Sequence, residues 1–138
     1  MTFHAYTDGA SRGNPGESGI GLLLKDEDGR TVMTLGAYIG QATNNVAEYT
    51  ALITLLKRMN EYPCTRLVVF SDSELMVKQM NGQYKIKNPD IKRCHAEIRG
   101  LLSRSPFQFE IRHIPRETNR EADQLANAGI ETRNRIDG

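Results

Sequence analysis

The chain has 138 residues, 38% of them hydrophobic and 25% charged, with a formal net charge of +1. That is ordinary for a globular protein and long enough for one domain to bury its own core. No apolar run approaches the ~20 residues of a membrane span, and Met1 to Tyr6 lacks the basic-then-apolar opening of a secretory leader, so neither a membrane partner nor export is expected.

Cys64 and Cys94 do not have metal-ligand spacing; two free thiols in a reducing cytoplasm are expected. Charge is unevenly spread. Residues 74–104 carry seven Lys/Arg against Glu74, Asp90 and Glu97, whereas residues 1–48 carry Arg12, Lys25 and Arg30 against six acids. Such a chain would hold cations at one place and phosphates at another, although scattered solvated charge gives the same count.

In chain order, Phe3 to Ser11 reads as a strand running into a Gly-rich loop, Gly9 to Gly16, with Asn14-Pro15-Gly16 as its turn. Ile20–Lys25 and Thr31–Ile39 read as two further strands, paired as a hairpin across Asp26-Glu27-Asp28-Gly29. Asn45 to Met59 has helical periodicity, with Leu52, Leu55, Leu56 and Met59 on one stripe. Leu67-Val68-Val69-Phe70 is the continuous apolar run of a strand buried on both faces. Ser71 to Glu74 has capping-box spacing for a helix reaching about Met80. A helix is predicted over Pro89 to Leu102 and an alternating strand over Phe107 to Ile111. Thr118 to Glu121 is a second capping box, launching a helix to about Ile130. Without repeats or linkers, residues 1–138 form a single domain with a polar tail from about residue 131. Antiparallel strands followed by strand–helix alternation imply an α/β protein with a mixed sheet covered by helices.

Four carboxylates occupy unusual places. Asp8 ends the first strand beside Gly9, where a turn Asp is equally at home. Glu48 shares the helical face of Leu52, Leu55 and Met59, so it is either buried or a solvated first-turn acid favoured by the helix dipole. Asp72 ends the most apolar strand, where α/β sheets gather ligands and where an N-cap Asp also belongs. Asp123 flanks the buried stripe of the last helix. Two acids at strand ends and two at helix starts would converge on one point. Clustered carboxylates repel unless a cation neutralises them, and oxygen-only ligation suits Mg²⁺ or Mn²⁺. Two such ions would clamp an in-line phosphoryl displacement.

Tyr6-Thr7-Asp8-Gly9-Ala10-Ser11 with Gly13-Asn14-Pro15-Gly16, then Thr43-Asn44-Asn45-Val46-Ala47-Glu48, Phe70-Ser71-Asp72-Ser73 and Asn119 to Ala126 resemble the four signature blocks of the type 1 ribonuclease H family, in family order. The resemblance implies the ribonuclease H-like fold, a five-stranded mixed sheet with helices on both faces. It implies an endonuclease that hydrolyses the RNA strand of an RNA–DNA hybrid, leaving 5′-phosphate and 3′-hydroxyl ends. It makes Asp8, Glu48, Asp72 and Asp123 the catalytic ligands of two Mg²⁺ (or Mn²⁺) ions, with Asp8 bridging both. Asn14, Asn44 and Asn45 match residues that read the RNA minor groove, where the 2′-hydroxyl separates RNA from DNA. Thr43 matches a residue on a DNA-strand phosphate, and Ser73 of the third block is a further substrate-binding candidate.

The chain departs from the family pattern in three respects. The basic, Trp-rich insertion of some members is missing; Val77 to Asp90 is short and the chain has no Trp. Tyr84, Lys85 and Lys87, with Lys78, offer a reduced substitute, or an ordinary exposed loop. His113 stands ten residues before Asp123, the spacing of a mobile catalytic His in many members, but it also continues the alternation Phe107, Phe109, Ile111 and would simply close the strand. Members without that His show a Pro-Arg-Glu-x-Asn stretch, as Pro115 to Asn119 does here, making Arg116 the alternative phosphate contact. No hybrid-binding accessory domain is expected before residue 1, and no obligate protein partner is expected. An integrase- or resolvase-like polynucleotidyl transferase would share the fold and acids, but the Asn44-Asn45 pair and the Asn14-Pro15-Gly16 loop argue against it. A non-catalytic module binding hybrid or double-stranded RNA is disfavoured by the presence of all four acids.

Overall fold

The computed structural model describes residues 1–135. Its strands are β1 (Thr2–Gly13), β2 (Gly16–Lys25), β3 (Thr31–Ala42), β4 (Arg66–Ser71) and β5 (Gln108–His113), and its helices α1 (Asn44–Arg58), α2 (Glu74–Met80), α3 (Pro89–Ser103) and α4 (Arg120–Thr132). The strands form one sheet in the order β3-β2-β1-β4-β5. β1, β2 and β3 pair antiparallel, while β1–β4 and β4–β5 pair parallel. The expected five-stranded mixed sheet is therefore present. Among the described residues, no helix is long and apolar enough to cross a membrane.

One face carries the main core. Phe3, Ala5, Leu22, Leu24 and Val69 pack with Leu52 and Leu55 of α1 and Ile98 of α3. The other face receives α4, whose buried stripe is Ala122, Ala126, Gly129 and Ile130. It lies so close that a Cβ on Gly21 would overlap the Ala122 carbonyl; only glycine admits the helix there.

Four local expectations differ from the structure. β1 does not give way to a loop at Gly9 but runs to Gly13, pairing Gly9 with Ile20 and Gly13 with Gly16 and leaving Asn14-Pro15 as the turn. Small residues that read locally as a loop are held straight by the ladder to β2. Ser71 does not open α2, because β4 extends through it, and the cap is Ser73, whose Oγ accepts from the Met76 amide at 3.2 Å. Thr118 does not cap α4: a 3₁₀ turn, Arg116–Thr118, intervenes and the helix begins after Asn119. Finally, α4 continues to Thr132, so the tail predicted from about residue 131 starts later. Its Asn134 docks on the edge of β3, with its carbonyl accepting from the Tyr38 amide at 2.6 Å and its Nδ2 donating to Gly36 O at 3.1 Å. The last three residues of that tail, 136–138, lie outside the described residues.

Candidate active site

Strand register makes the first half of the site. Thr7 pairs with Ser71 on the parallel neighbour, so Asp8 and Asp72, one residue further along each chain, emerge side by side. Glu48 arrives from the buried face of α1, just past its first turn. A Cβ on Gly9 would overlap the backbone of Ala47 and Glu48. Glycine lets α1 start against β1, and the Gly9 amide donates to Glu48 Oε1 at 2.8 Å. One oxygen each of Asp8, Glu48 and Asp72 lies within 4.8 Å of the others. Asp123, half-buried on α4, borders the same cleft of about 350 Å³, together with Ser11, Asn44, Arg116 and Asn127.

Burial decides the electrostatics. Asp8 is 5% exposed and Glu48 8%, so Glu48 belongs to the buried stripe rather than to a solvated first turn. Burial, then the carboxylates of Glu48 and Asp72, with Asp123 contributing less, push Asp8 up to about 9. Burial and then Asp72 push Glu48 up to about 8, against the Gly9 amide and Arg116, which pull it down. Carboxylates in this position hold protons near neutrality unless a cation replaces them. The donor set is all oxygen, clustered within ligand reach and largely withdrawn from water, which fits a hard divalent cation.

The remaining candidates spread outward. Asn14, Asn44 and Asn45 are exposed; Asn44 lines the cleft, and Asn14 Oδ1 accepts from its amide at 3.1 Å. Thr43 Oγ1 caps α1 by accepting from the Val46 amide at 3.2 Å, and the residue lines a second groove of about 630 Å³ with Pro15 and Arg93. Ser73 is occupied as the cap of α2. Tyr84 is 48% exposed and is engaged by Lys78, whose Nζ lies 3.3 Å from its hydroxyl and 4.9 Å from its ring centre. Lys85 and Lys87 are exposed in the loop between α2 and α3. None of Ser73, Tyr84, Lys85 and Lys87 lines the acidic cleft. His113 is the exposed last residue of β5, paired with Ser71, and is absent from the cleft wall, whereas Arg116 is part of it.

Sequence reasoning gave no role to Asn119, Asn127 and Arg12. Asn119, 2% exposed, donates through Nδ2 to Thr7 O at 2.9 Å and to Asp72 Oδ2 at 3.3 Å. Asn127 Nδ2 donates to Asp123 O at 2.9 Å and Oδ1 at 3.3 Å, while its Oδ1 accepts from Arg12 at 3.4 Å. The available signal was spacing: Asn119 and Asn127 stand four residues either side of Asp123.

A sheet of this order, with carboxylates gathered where the β1–β4 pairing ends, defines a ribonuclease H-like domain. A family profile described as reverse-transcriptase-like matches residues 6–129. The chain is 42% identical over 128 residues to the ribonuclease HI of Halobacterium salinarum, covering 93% of this chain and 64% of that protein. It is 39% identical over 125 residues to a bifunctional protein of Mycobacterium tuberculosis, covering 90% of this chain but 34% of that one. Thus it spans less than two thirds of either relative. Among solved structures, RNase H1 from Halobacterium salinarum superposes with a TM-score of 0.90 at 41% identity, covering 96% of this chain and 99% of that one. LC11-RNase H1 in complex with RNA/DNA hybrid gives a TM-score of 0.90 at 42% identity, covering 94% and 97%. The chain belongs to the type 1 ribonuclease H family, a metal-dependent family, in a short form without the basic insertion.

Proposed function

We propose that this chain is an endonuclease that hydrolyses the RNA strand of RNA–DNA hybrids at the cleft of Asp8, Glu48, Asp72 and Asp123, with two Mg²⁺ or Mn²⁺ ions per site. The observation that carries the reading is the trio of carboxylate oxygens within 4.8 Å in a cleft that Asn44 also lines, on a backbone shared with an RNase H1 whose structure holds an RNA/DNA hybrid. When bound, such ions supply Lewis acidity at the attacking and leaving oxygens of an in-line displacement. In the reaction, water oxygen bonds to phosphorus, the P–O3′ bond breaks, and the 3′ oxygen takes a proton. The four acids hold the cations, and Arg116 meets the phosphate at the cleft wall.

Asn14, Asn44 and Asn45 face the minor groove. With Asn14 Oδ1 already accepting from the Asn44 amide, its Nδ2 is left to donate to 2′-oxygens and base acceptors. Thr43, in the groove with Arg93, takes a phosphate of the DNA strand. Tyr84, Lys85 and Lys87 form a lighter, sequence-independent handle. Residues 1–138 serve as one catalytic domain, and the two free cysteines accord with a cytoplasmic setting.

The test is cleavage of end-labelled hybrid, duplex DNA and duplex RNA with Mg²⁺, Mn²⁺ or chelator. Metal-dependent internal cuts in the RNA of the hybrid, with duplex DNA intact, are expected. Cleavage of duplex DNA would favour an integrase- or resolvase-like enzyme, and binding without cleavage in either metal a non-catalytic module.

A further inference from the structure

We infer that Asn119 and Asn127, at the start and middle of α4, are positioning residues that fix the Asp72 and Asp123 carboxylates for metal binding. The inference rests on the reading of the acidic cleft as a metal centre and adds two amides to it.

Asn119 stands where a helix cap belongs, yet its side chain makes no capping bond. Instead it is buried, 2% exposed, and its Nδ2 reaches Thr7 O at 2.9 Å and Asp72 Oδ2 at 3.3 Å. Both partners are acceptors, so only the NH₂ end of the amide serves, and its orientation is settled. The Oδ1 end is buried with no partner. A residue that gives up the local cap and leaves an acceptor unsatisfied is one whose inward bond is retained for another reason. These two bonds tie together three of the four acid-bearing segments: Thr7 precedes Asp8 on β1, Asp72 follows β4, and Asn119 opens the helix of Asp123. By holding Oδ2, Asn119 fixes the rotation of the Asp72 carboxylate, one of whose oxygens lies within 4.8 Å of Asp8 and Glu48.

Asn127 repeats the device one helical step beyond Asp123. Arg12 donates to its Oδ1 at 3.4 Å, which directs Nδ2 at the Asp123 carboxylate, 3.3 Å away. Arg12 is itself anchored by Glu131 at 3.0 Å. Partners of this kind orient a ligand that has two equivalent oxygens and so limit the conformations lost on metal binding.

The test is Mn²⁺ binding to the protein without nucleic acid, counted by the electron paramagnetic resonance of free Mn²⁺, beside melting temperature and steady-state kinetics. Asn119→Leu and Asn127→Leu keep side-chain volume and remove the donor. Each should weaken Mn²⁺ binding about 10-fold or more, raise the metal concentration for half-maximal turnover in parallel, and leave KM for the hybrid unchanged at saturating metal. Asn119→Ser, which retains one donor, should fall between wild type and leucine; if the leucine variant does not fold, the serine variant decides on the same scale. A merely structural role would lower the melting temperature with Mn²⁺ affinity intact, and that result overturns the inference. Absence of Mn²⁺ binding by the wild type would instead overturn the metal-centre reading, and this inference with it.

Discussion

The acidic cleft and the basic loop at residues 81–88 are built in opposite ways. The cleft is assembled from β1, α1, α4 and the bend that follows β4, with Asp8 and Glu48 buried; Asp8, Glu48 and Asp123 are held on a strand or helix, and Asp72 directly follows the last residue of β4. The loop is exposed almost throughout, and Tyr84 is tied down by Lys78 from one helix away. Withdrawal from water makes the cleft a place where one charge decides affinity for a cation. Exposure makes the loop a place where charges act additively and are screened by salt. Chemistry and grip are thus separable, and substitutions should divide along that line.

The largest effect belongs to the cleft. Amide replacement of Asp8, Glu48, Asp72 or Asp123 should reduce turnover by more than about 100-fold, the scale that changes to a ligand's supporting partners alone reach. Hybrid binding should stay measurable because phosphate contacts carry it. Near-normal turnover in Asp72→Asn would dissolve the contrast between the two regions.

Arg116 and His113 sharpen it, since only Arg116 lines the cleft. Arg116→Ala should lower kcat/KM about 10- to 100-fold, matching a charged hydrogen bond of about 1.5–3 kcal/mol. His113→Ala should change turnover little and register mainly in melting temperature. The reverse pattern would return the mobile-histidine role to His113.

Stability against pH tests the cleft from another side. Without metal, Asp8 and Glu48 are raised in the fold to about 9 and about 8, above the ordinary carboxylate range near 4 that they regain on unfolding. The folded state then binds more protons, so stability is full below about pH 4 and falls as pH rises through 8 and 9. Mg²⁺ should offset the fall, raising the melting temperature more at pH 9 than at pH 6 and releasing protons as it binds. A metal-free melting temperature unaffected by these two groups, judged against Asp8→Asn, would contradict their burial.

The smallest effect belongs to the loop. Neutralising Lys85 and Lys87 together should raise KM, leave kcat nearly unchanged and reduce the slope of log affinity against log salt by about 2. A fall in kcat at constant KM would connect the loop to the chemistry after all.

Residue order alone was enough for the alternating and helical stripes that became the strands and α1, for the Asp26–Gly29 hairpin and, through the four motif blocks, for the acids that meet in the cleft. Those signals are local: side-chain period and turn chemistry act over a few residues. Tertiary structure alone decided that Gly9 to Gly13 continue as strand, that Asp8 and Asp72 share a register, and that Arg116 rather than His113 reaches the cleft wall. It also decided that Asn119 turns inward instead of capping its helix. Each of these depends on a partner far away in the chain, such as Ile20, Ser71 or Thr7. A pairing across that separation is fixed by which ladder and which core close together, and no local pattern records it.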